Sequence, residues 1–281
     1  MERVGVVGCG QMGSGIAEVT ARAGYDVRVV ETSPEAVKIG TERLTTSLER
    51  AEQRGRIESA AAVLERLEVV EGLDALADRE LVVEAIAEDE EIKTGVFRDL
   101  DRIVTDPAAI LASNTSSIPI MKLAVATSRP DQVVGIHFFN PVPVLSLVEL
   151  VPSLMTGEAT LAGARSFVEE GLGKKAIDCQ DRAGFVVNAL LVPFLLSAIR
   201  MMESGFATAE DIDEGLVRGC AHPQGPLALS DLIGLDTVKA VAESMYAEFK
   251  EPLYAPPPLL ARMVEAGLLG KKAGRGFHTY A

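Results

Sequence analysis

The run Gly8-Cys9-Gly10-Gln11-Met12-Gly13 constrains this chain more than any other segment. It follows an apolar, strand-like stretch, Arg3 to Val7, and opens a helical one, Gln11 to Ala23. In a GxGxxG turn so placed, the first glycine makes the tight turn and the second lets the backbone approach a pyrophosphate. The third lets helix and strand pack closely, and the phosphates rest on the helix N-terminus. The next strand-like run, Asp26 to Glu31, ends on a carboxylate 18 residues past Gly13. A carboxylate there accepts hydrogen bonds from both ribose hydroxyls and repels a 2′-phosphate, which favours NAD over NADP. Thr32-Ser33-Pro34 brings no arginine to receive such a phosphate. Gly8, Gly10, Gln11, Met12, Gly13 and Glu31 are the expected cofactor-binding residues.

Apolar runs continue to alternate with helical stretches. Glu80 to Ile86, Ile110 to Ala112 and Val133 to Ile136 read as further strands, with helices between them. Such alternation implies βαβ units and a parallel sheet with helices on both faces. Ala36 to Arg66 is too long for one crossover helix and is interrupted by Gly55, which suggests a helix pair projecting from the sheet. After Asp181-Arg182-Ala183-Gly184 no strand pattern persists. Phe185 to Ser204 (with Pro193 as a kink), Ala207 to Gly219, Leu227 to Phe249 and Pro258 to Gly267 all read as helical. The expected fold is an α/β Rossmann-type dinucleotide-binding domain, residues 1–183, followed by an all-α C-terminal domain, residues 184–281. The run Phe185 to Leu196 is more apolar than a small domain needs, and a homodimer interface would use the excess.

Charge narrows the partners. Asp and Glu number 41 against 27 Lys and Arg, a net charge of −14, so nucleic acid is not an expected ligand. No apolar run approaches the ~20 residues that span a bilayer, and the N-terminus enters a strand without a secretory leader, so no membrane partner and a cytoplasmic location are expected. Cys9, Cys179 and Cys220 are scattered, and His137, His222 and His278 show no ligand spacing, so no metal is expected.

Catalysis is sought where Val134-Gly135-Ile136 leads into His137-Phe138-Phe139-Asn140-Pro141. A second strand-like run, Leu147-Val148-Glu149-Leu150, puts a carboxylate 12 residues after the histidine. On adjacent antiparallel strands Glu149 would hold one imidazole nitrogen and leave the other as a base; a purely structural histidine is the alternative. Ser113-Asn114-Thr115-Ser116-Ser117 lies just past a sheet strand, where ligands bind in open α/β folds, and also reads as a helix N-cap run.

The segments GCGQMGSGIA, ASNTSSI, GIHFFNPVPV, LVEL, GFVVNALLVPF, HPQGP, LIGLDT and GKKAGRGF together resemble the 3-hydroxyacyl-CoA dehydrogenase family, over essentially the whole chain. The likeness is greatest to its short bacterial members that act on 3-hydroxybutyryl-CoA. The resemblance implies an enzyme that oxidises the 3-hydroxyl of an (S)-acyl-CoA with NAD, or reduces the 3-keto group, and whose helical domain dimerises. It makes His137 the catalytic base and Glu149 its partner, with Ser116 and Asn188 holding the reacting oxygen. Glu88, Lys93, Asn140 and Lys272 match cofactor-site positions; Lys93 and Lys272 otherwise read as solvated lysines. Glu31 stands where Asp is commoner, and short members use either cofactor, which leaves NADP open. Asp89 stands where Asn is frequent, and Ser146 where Lys is frequent, removing a cation near the expected coenzyme A site. Arg43, Arg50 and Arg54 share one helix face, with Arg50 and Arg54 the candidate coenzyme A contacts; interleaved Glu42, Glu49 and Glu52 also fit a solvated face. The rival readings are a dehydrogenase of the same fold acting on a carrier-protein-bound acyl group or a free hydroxy acid, and a non-catalytic cofactor-binding relative.

Overall fold

The computed structural model describes residues 1–280. The chain divides into two compact units, Met1–Arg182 and a second that begins at Ala183. In the first unit the chain runs β1 (Arg3–Val7), α1 (Gln11–Arg22), β2 (Asp26–Glu31), α2 (Pro34–Gln53), α3 (Ala60–Leu64), β3 (Leu67–Glu71) and β4 (Leu81–Glu84). It continues as α4 (Glu90–Ile103), β5 (Ile110–Ser113), α5 (Ile120–Ala124), β6 (Val133–Phe138), β7 (Leu147–Pro152), α6 (Glu158–Ser166) and β8 (Lys175–Asp178). The eight strands form one sheet in the order β3-β2-β1-β4-β5-β6-β7-β8. Pairing is parallel from β3 to β6, antiparallel between β6 and β7, and parallel again between β7 and β8.

The strand order reverses on either side of β1, the point at which open α/β sheets leave a crevice for a ligand. Successive strand residues face opposite sides. Val4, Val6, Val27, Val29, Leu81 and Val83 turn to one face, where Ile16 and Ala17 of α1 and Leu44 and Leu48 of α2 bury their side chains against them. On the other face, the space beside Gly5 is filled by Leu76, Arg79 and Val82.

The stretch after Pro34 is a pair of helices interrupted at Gly55, but an unequal one, 20 residues followed by five, and both members bury residues in the core (Leu44, Leu48, Ala60, Val63). The strands β3 and β8 have no clear apolar alternation. Leu-Glu-Val-Val-Glu and Lys-Ala-Ile-Asp become strands by pairing with β2 and β7 at the two edges of the sheet.

The second unit holds α7 (Val187–Glu203), α8 (Ala209–Cys220), α9 (Pro226–Ile233), α10 (Leu235–Phe249) and α11 (Pro258–Glu265). Leu195, Leu196, Ile199, Leu227, Val238, Ala242 and Met245 form its core. The helix α7 runs on through Pro193. The expected single helix from Leu227 to Phe249 is two, because Gly234 sits at φ +103° between them, a conformation glycine adopts without strain. His222 lies against the Phe194 ring, centroids 5.6 Å apart, in the turn that leads to α9.

Candidate active site

Each glycine of the first turn has its own spatial reason. Gly8 has φ +90°, and a Cβ there would lie 3.1 Å from the Ala85 carbonyl oxygen. At Gly13 a Cβ would stand 1.9 Å from the Gly8 carbonyl oxygen, so only glycine lets α1 approach the turn this closely. Gly10 faces open space, with no atom within 4 Å of a Cβ position, and caps α1 without a side-chain hydrogen bond. Unclaimed N–H groups at a helix N-terminus beside open space suit a pyrophosphate. Gln11 is exposed and Met12 half-buried against the core.

Glu31 ends β2 beside this turn, and the Cys9 N–H donates to its Oε1 at 2.5 Å. Arg43 donates to the Cys9 carbonyl oxygen, so it turns toward the glycine turn instead of continuing an outward row with Arg50 and Arg54. Arg50 and Arg54 are exposed at the end of α2. The Cys9 thiol is pushed up to about 12, by burial and then by the Glu31 charge, against the opposing pull of Arg43.

A second cluster gathers at the carboxyl ends of β4 and β5. Glu84, fully buried, accepts from Lys93 Nζ at 2.6 Å, the Ile86 N–H at 2.7 Å and Ser113 Oγ at 2.6 Å. Lys93 is 1% exposed and also lies 3.3 Å from Glu88. Lys93 forms an internal ion pair and is not a solvated lysine. Glu88 in turn holds the polar run. Its Oε1 accepts from Thr115 Oγ1 at 2.6 Å, from the N–H groups of Ser116 and Ser117 at 2.9 and 3.1 Å, and from Ser117 Oγ at 2.9 Å. Burial alone would raise the Glu88 pKa, but the Lys93 charge and these hydrogen bonds hold it below the ordinary carboxylate value. Ser116 Oγ is 3.3 Å from the same carboxylate.

His137 and Glu149 are directly opposed residues of the antiparallel β6–β7 pair. His137 Nδ1 and Glu149 Oε2 are 2.8 Å apart, with Glu149 fully buried and His137 6% exposed. The Phe139 ring meets the imidazole edge-on, centroids 4.7 Å apart. Asn114, placed by the sequence only within a polar run, accepts the Phe138 N–H at 2.8 Å and so ties the end of β5 to the strand that carries His137. Asn140 is exposed in the turn that follows. That turn lacks a cation at Ser146, but Lys174 supplies one, donating to the carbonyl oxygens of Val142 and Leu145 at 2.8 and 2.7 Å. In the second unit Asn188 is half-buried on the first turn of α7, and exposed Lys272 holds both Asp236 oxygens at 2.6 Å.

The sequence reading gave no individual role to Glu84, Asn114 or Lys174, and set Arg43 in a row with Arg50 and Arg54 rather than at the glycine turn. For the first two a signal existed, a polar residue closing an otherwise apolar strand or standing just past it. Among the described residues no helix is long and apolar enough to cross a membrane.

A dinucleotide cradle at the sheet's switch point, with an imidazole–carboxylate pair two strands beyond β4, defines an oxidoreductase of the two-unit dehydrogenase class. Residues 3–182 match the 3-hydroxyacyl-CoA dehydrogenase NAD binding domain, and residues 184–280 match the C-terminal domain of the same family. The chain belongs to the 3-hydroxyacyl-CoA dehydrogenase family, and the matched domain identifies NAD as its cofactor. It is 60% identical over 282 residues to the 3-hydroxybutyryl-CoA dehydrogenase of Mycobacterium tuberculosis, covering 100% of this chain and 99% of that one. Among solved structures, FadB2 of M. tuberculosis superposes with a TM-score of 0.98 at 60% identity, over 100% of this chain and 99% of that one. The (S)-3-hydroxybutyryl-CoA dehydrogenase of Ralstonia eutropha does so with a TM-score of 0.93 at 43% identity, over 100% and 99%.

Removing one member of the buried Glu84–Lys93 pair leaves an uncompensated charge, so Lys93→Met should lose about 3–5 kcal/mol of unfolding free energy. Glu84→Gln in the same chain should restore part of it, as read by urea denaturation. An unchanged midpoint in the single variant would show that the pair does not hold this end of the sheet.

Proposed function

We propose that the chain is an NAD-dependent (S)-3-hydroxyacyl-CoA dehydrogenase acting on a short chain such as 3-hydroxybutyryl-CoA. The observation that carries this reading is the 2.8 Å contact between His137 Nδ1 and Glu149 Oε2. It holds Nδ1 and fixes the ring, and the reading assigns proton exchange with substrate to Nε2. When bound, NAD supplies the acceptor for the hydride that leaves C3. His137 Nε2 takes the C3 hydroxyl proton in oxidation and returns it to the forming alkoxide in reduction. Glu149 stabilises the imidazolium that appears in each direction. Ser116 and Asn188 donate to the C3 oxygen, an oxyanion-type role. Glu88 keeps the Ser116 loop in place and lines the cofactor site with Asn140. The names of the closely similar relatives support the substrate, and the pairing of the imidazole with a buried carboxylate weighs against a non-catalytic relative.

The same reading assigns cofactor binding to residues 1–183, and substrate closure and dimerisation to residues 184–281, in a cytoplasmic homodimer that contacts neither membrane nor nucleic acid. Supporting the dimer, Leu190 on α7 is 75% exposed and Phe206 80% exposed. Burying such side chains against a second copy is favourable by roughly 1.5–3 kcal/mol each. Light scattering on the full chain should give twice the chain mass, and a monomer at micromolar concentration would remove this part of the reading.

Cofactor preference rests on Glu31. The native protein should turn over acetoacetyl-CoA far better with NADH than with NADPH. Glu31→Ala should weaken NADH binding by about 1.5–3 kcal/mol and narrow the difference. Better use of NADPH by the native protein would contradict the assignment.

The dyad makes the sharpest expectation. His137→Gln should keep NADH affinity and lose about 10²–10⁴ in kcat. Glu149→Gln should fall in kcat too, and the double variant should be little worse than His137→Gln alone, because the residues act as a unit. Replacing His222, which packs on Phe194, should leave most of kcat. A fully active Glu149→Gln would overturn the dyad.

A further inference from the structure

Arg43 belongs to α2, yet its guanidinium donates to the Cys9 carbonyl oxygen, inside the glycine turn. The cause lies one turn back on the same helix. At Gly40 a Cβ would stand 2.8 Å from the Cys9 Cβ, so α2 presses directly on the turn. Residues three apart share a helix face, which brings Arg43 to the same contact. Glu31 reaches the same residue through its N–H, which donates to Glu31 Oε1 at 2.5 Å. Cys9 thus carries a carboxylate on its N–H and a guanidinium on its carbonyl oxygen. Both charges are felt at its thiol, with opposite signs.

The two charges differ in what else they hold. Arg22 and Arg28 pair with Glu18 and Glu68, whereas Arg43 forms no ion pair among the described residues. Its side chain is exposed, and Gly10, the neighbour of Cys9, faces open space. A guanidinium whose partner is a neutral carbonyl, beside the space a dinucleotide would fill, can take up an anion there. Glu31 says which anion. A carboxylate at the end of the second strand marks the adenosine ribose, and NAD and NADP differ at that ribose by a 2′-phosphate. The residues just past Glu31 bring no cation to it. Thr32 is exposed and uncharged, and the Ser33 hydroxyl oxygen accepts the Ala36 N–H as the cap of α2. The cation comes instead from Arg43, 12 residues past Glu31, returned to the turn by the packing of α2.

We propose that Arg43 is a second determinant of cofactor choice, the cation that receives the 2′-phosphate of NADPH, so that Glu31 and Arg43 act on this group with opposite sign. The proposal rests on the reading that places the adenosine ribose at Glu31. Glu31 binds the ribose hydroxyls of NADH and repels the phosphate, which keeps NADH preferred. Arg43 offsets that repulsion with forked, charge-assisted hydrogen bonds. It exchanges a neutral carbonyl acceptor for a charged one, and the charged one is the stronger. NADPH is therefore a weak ligand rather than an excluded one, and Arg43 sets how weak.

The test reads dissociation constants for NADH and NADPH from the fluorescence of the reduced nicotinamide, with no substrate present. The native protein should bind NADPH more weakly than NADH. Arg43→Ala should raise the NADPH-to-NADH ratio of dissociation constants about tenfold, and Arg43→Lys should recover part of that change. Glu31→Gln should lower the ratio about tenfold, and Glu31→Gln/Arg43→Ala should lose that gain. Because each variant is scored by a ratio, a general loss of folded protein does not mimic the result. An Arg43→Ala that weakens both dinucleotides equally would overturn the proposal, since Arg43 would then only shape the glycine turn. A Glu31→Gln/Arg43→Ala variant that keeps the NADPH gain would overturn it too, with the Glu31 assignment left standing. A native protein that bound neither dinucleotide would bring down the cofactor reading and this proposal together.

Discussion

A buried carboxylate at the end of a central strand organises the business end of the sheet. Glu84 is withdrawn from water, and a charge so placed is tolerated only if every lone pair finds a donor. The donors come from three segments: Lys93 of α4, the Ile86 N–H just past β4, and Ser113 at the end of β5. Lys93 then leans on Glu88, and Glu88 gathers the N–H groups of Ser116 and Ser117. Next to Ser113, Asn114 reaches to β6 and fixes the backbone beside His137. One desolvated charge thus sets the positions of a loop and a strand that approach the reacting site from different parts of the sequence.

The legible parts of the sequence were those whose cause is local. A glycine turn between a strand and a helix announces itself because each glycine answers a constraint within a few residues, and Gly13 is the clearest case. The His137–Glu149 spacing suggested a hairpin-like return, and the antiparallel register sets the two side chains face to face. The illegible parts depend on distant partners. Nothing in Lys-Ala-Ile-Asp marks a strand until β7 lies beside it. Lys93 looks like any helix lysine until Glu84, nine residues back and on another element, is seen to need it. Arg43 shares the spacing of Arg50 and Arg54, and only the packing of α2 against the glycine turn sends it to the Cys9 carbonyl.

The second unit solves a similar problem with carboxylates that bind backbone. Asp213 accepts the N–H groups of Leu227 and Ala228, which start α9, and a ring nitrogen of His278 lies 2.8 Å from it. Asp231 accepts those of Phe277 and His278 and the Tyr280 hydroxyl. This is why the tail is glycine-rich: a Cβ at Gly276 would fall 1.9 Å from Asp231 Oδ1, and one at Gly270 would fall 2.3 Å from its carbonyl oxygen. The tail is a docked part of the helical unit, stitched down by two buried acids rather than by apolar contact alone.

Cys9 sits within the glycine turn, where a reactive thiol would expose cofactor binding to every oxidant the cell meets. Burial, and then the Glu31 charge, push its thiol up to about 12, which holds it in the protonated form, and peroxides and electrophiles attack the thiolate. Closed in by Gly40 and held beside the Glu31 charge, the sulfur behaves as a small hydrocarbon plug. A cysteine at the second position of the motif is thereby a packing residue, buried and held as the thiol, rather than an exposed nucleophile beside the cofactor.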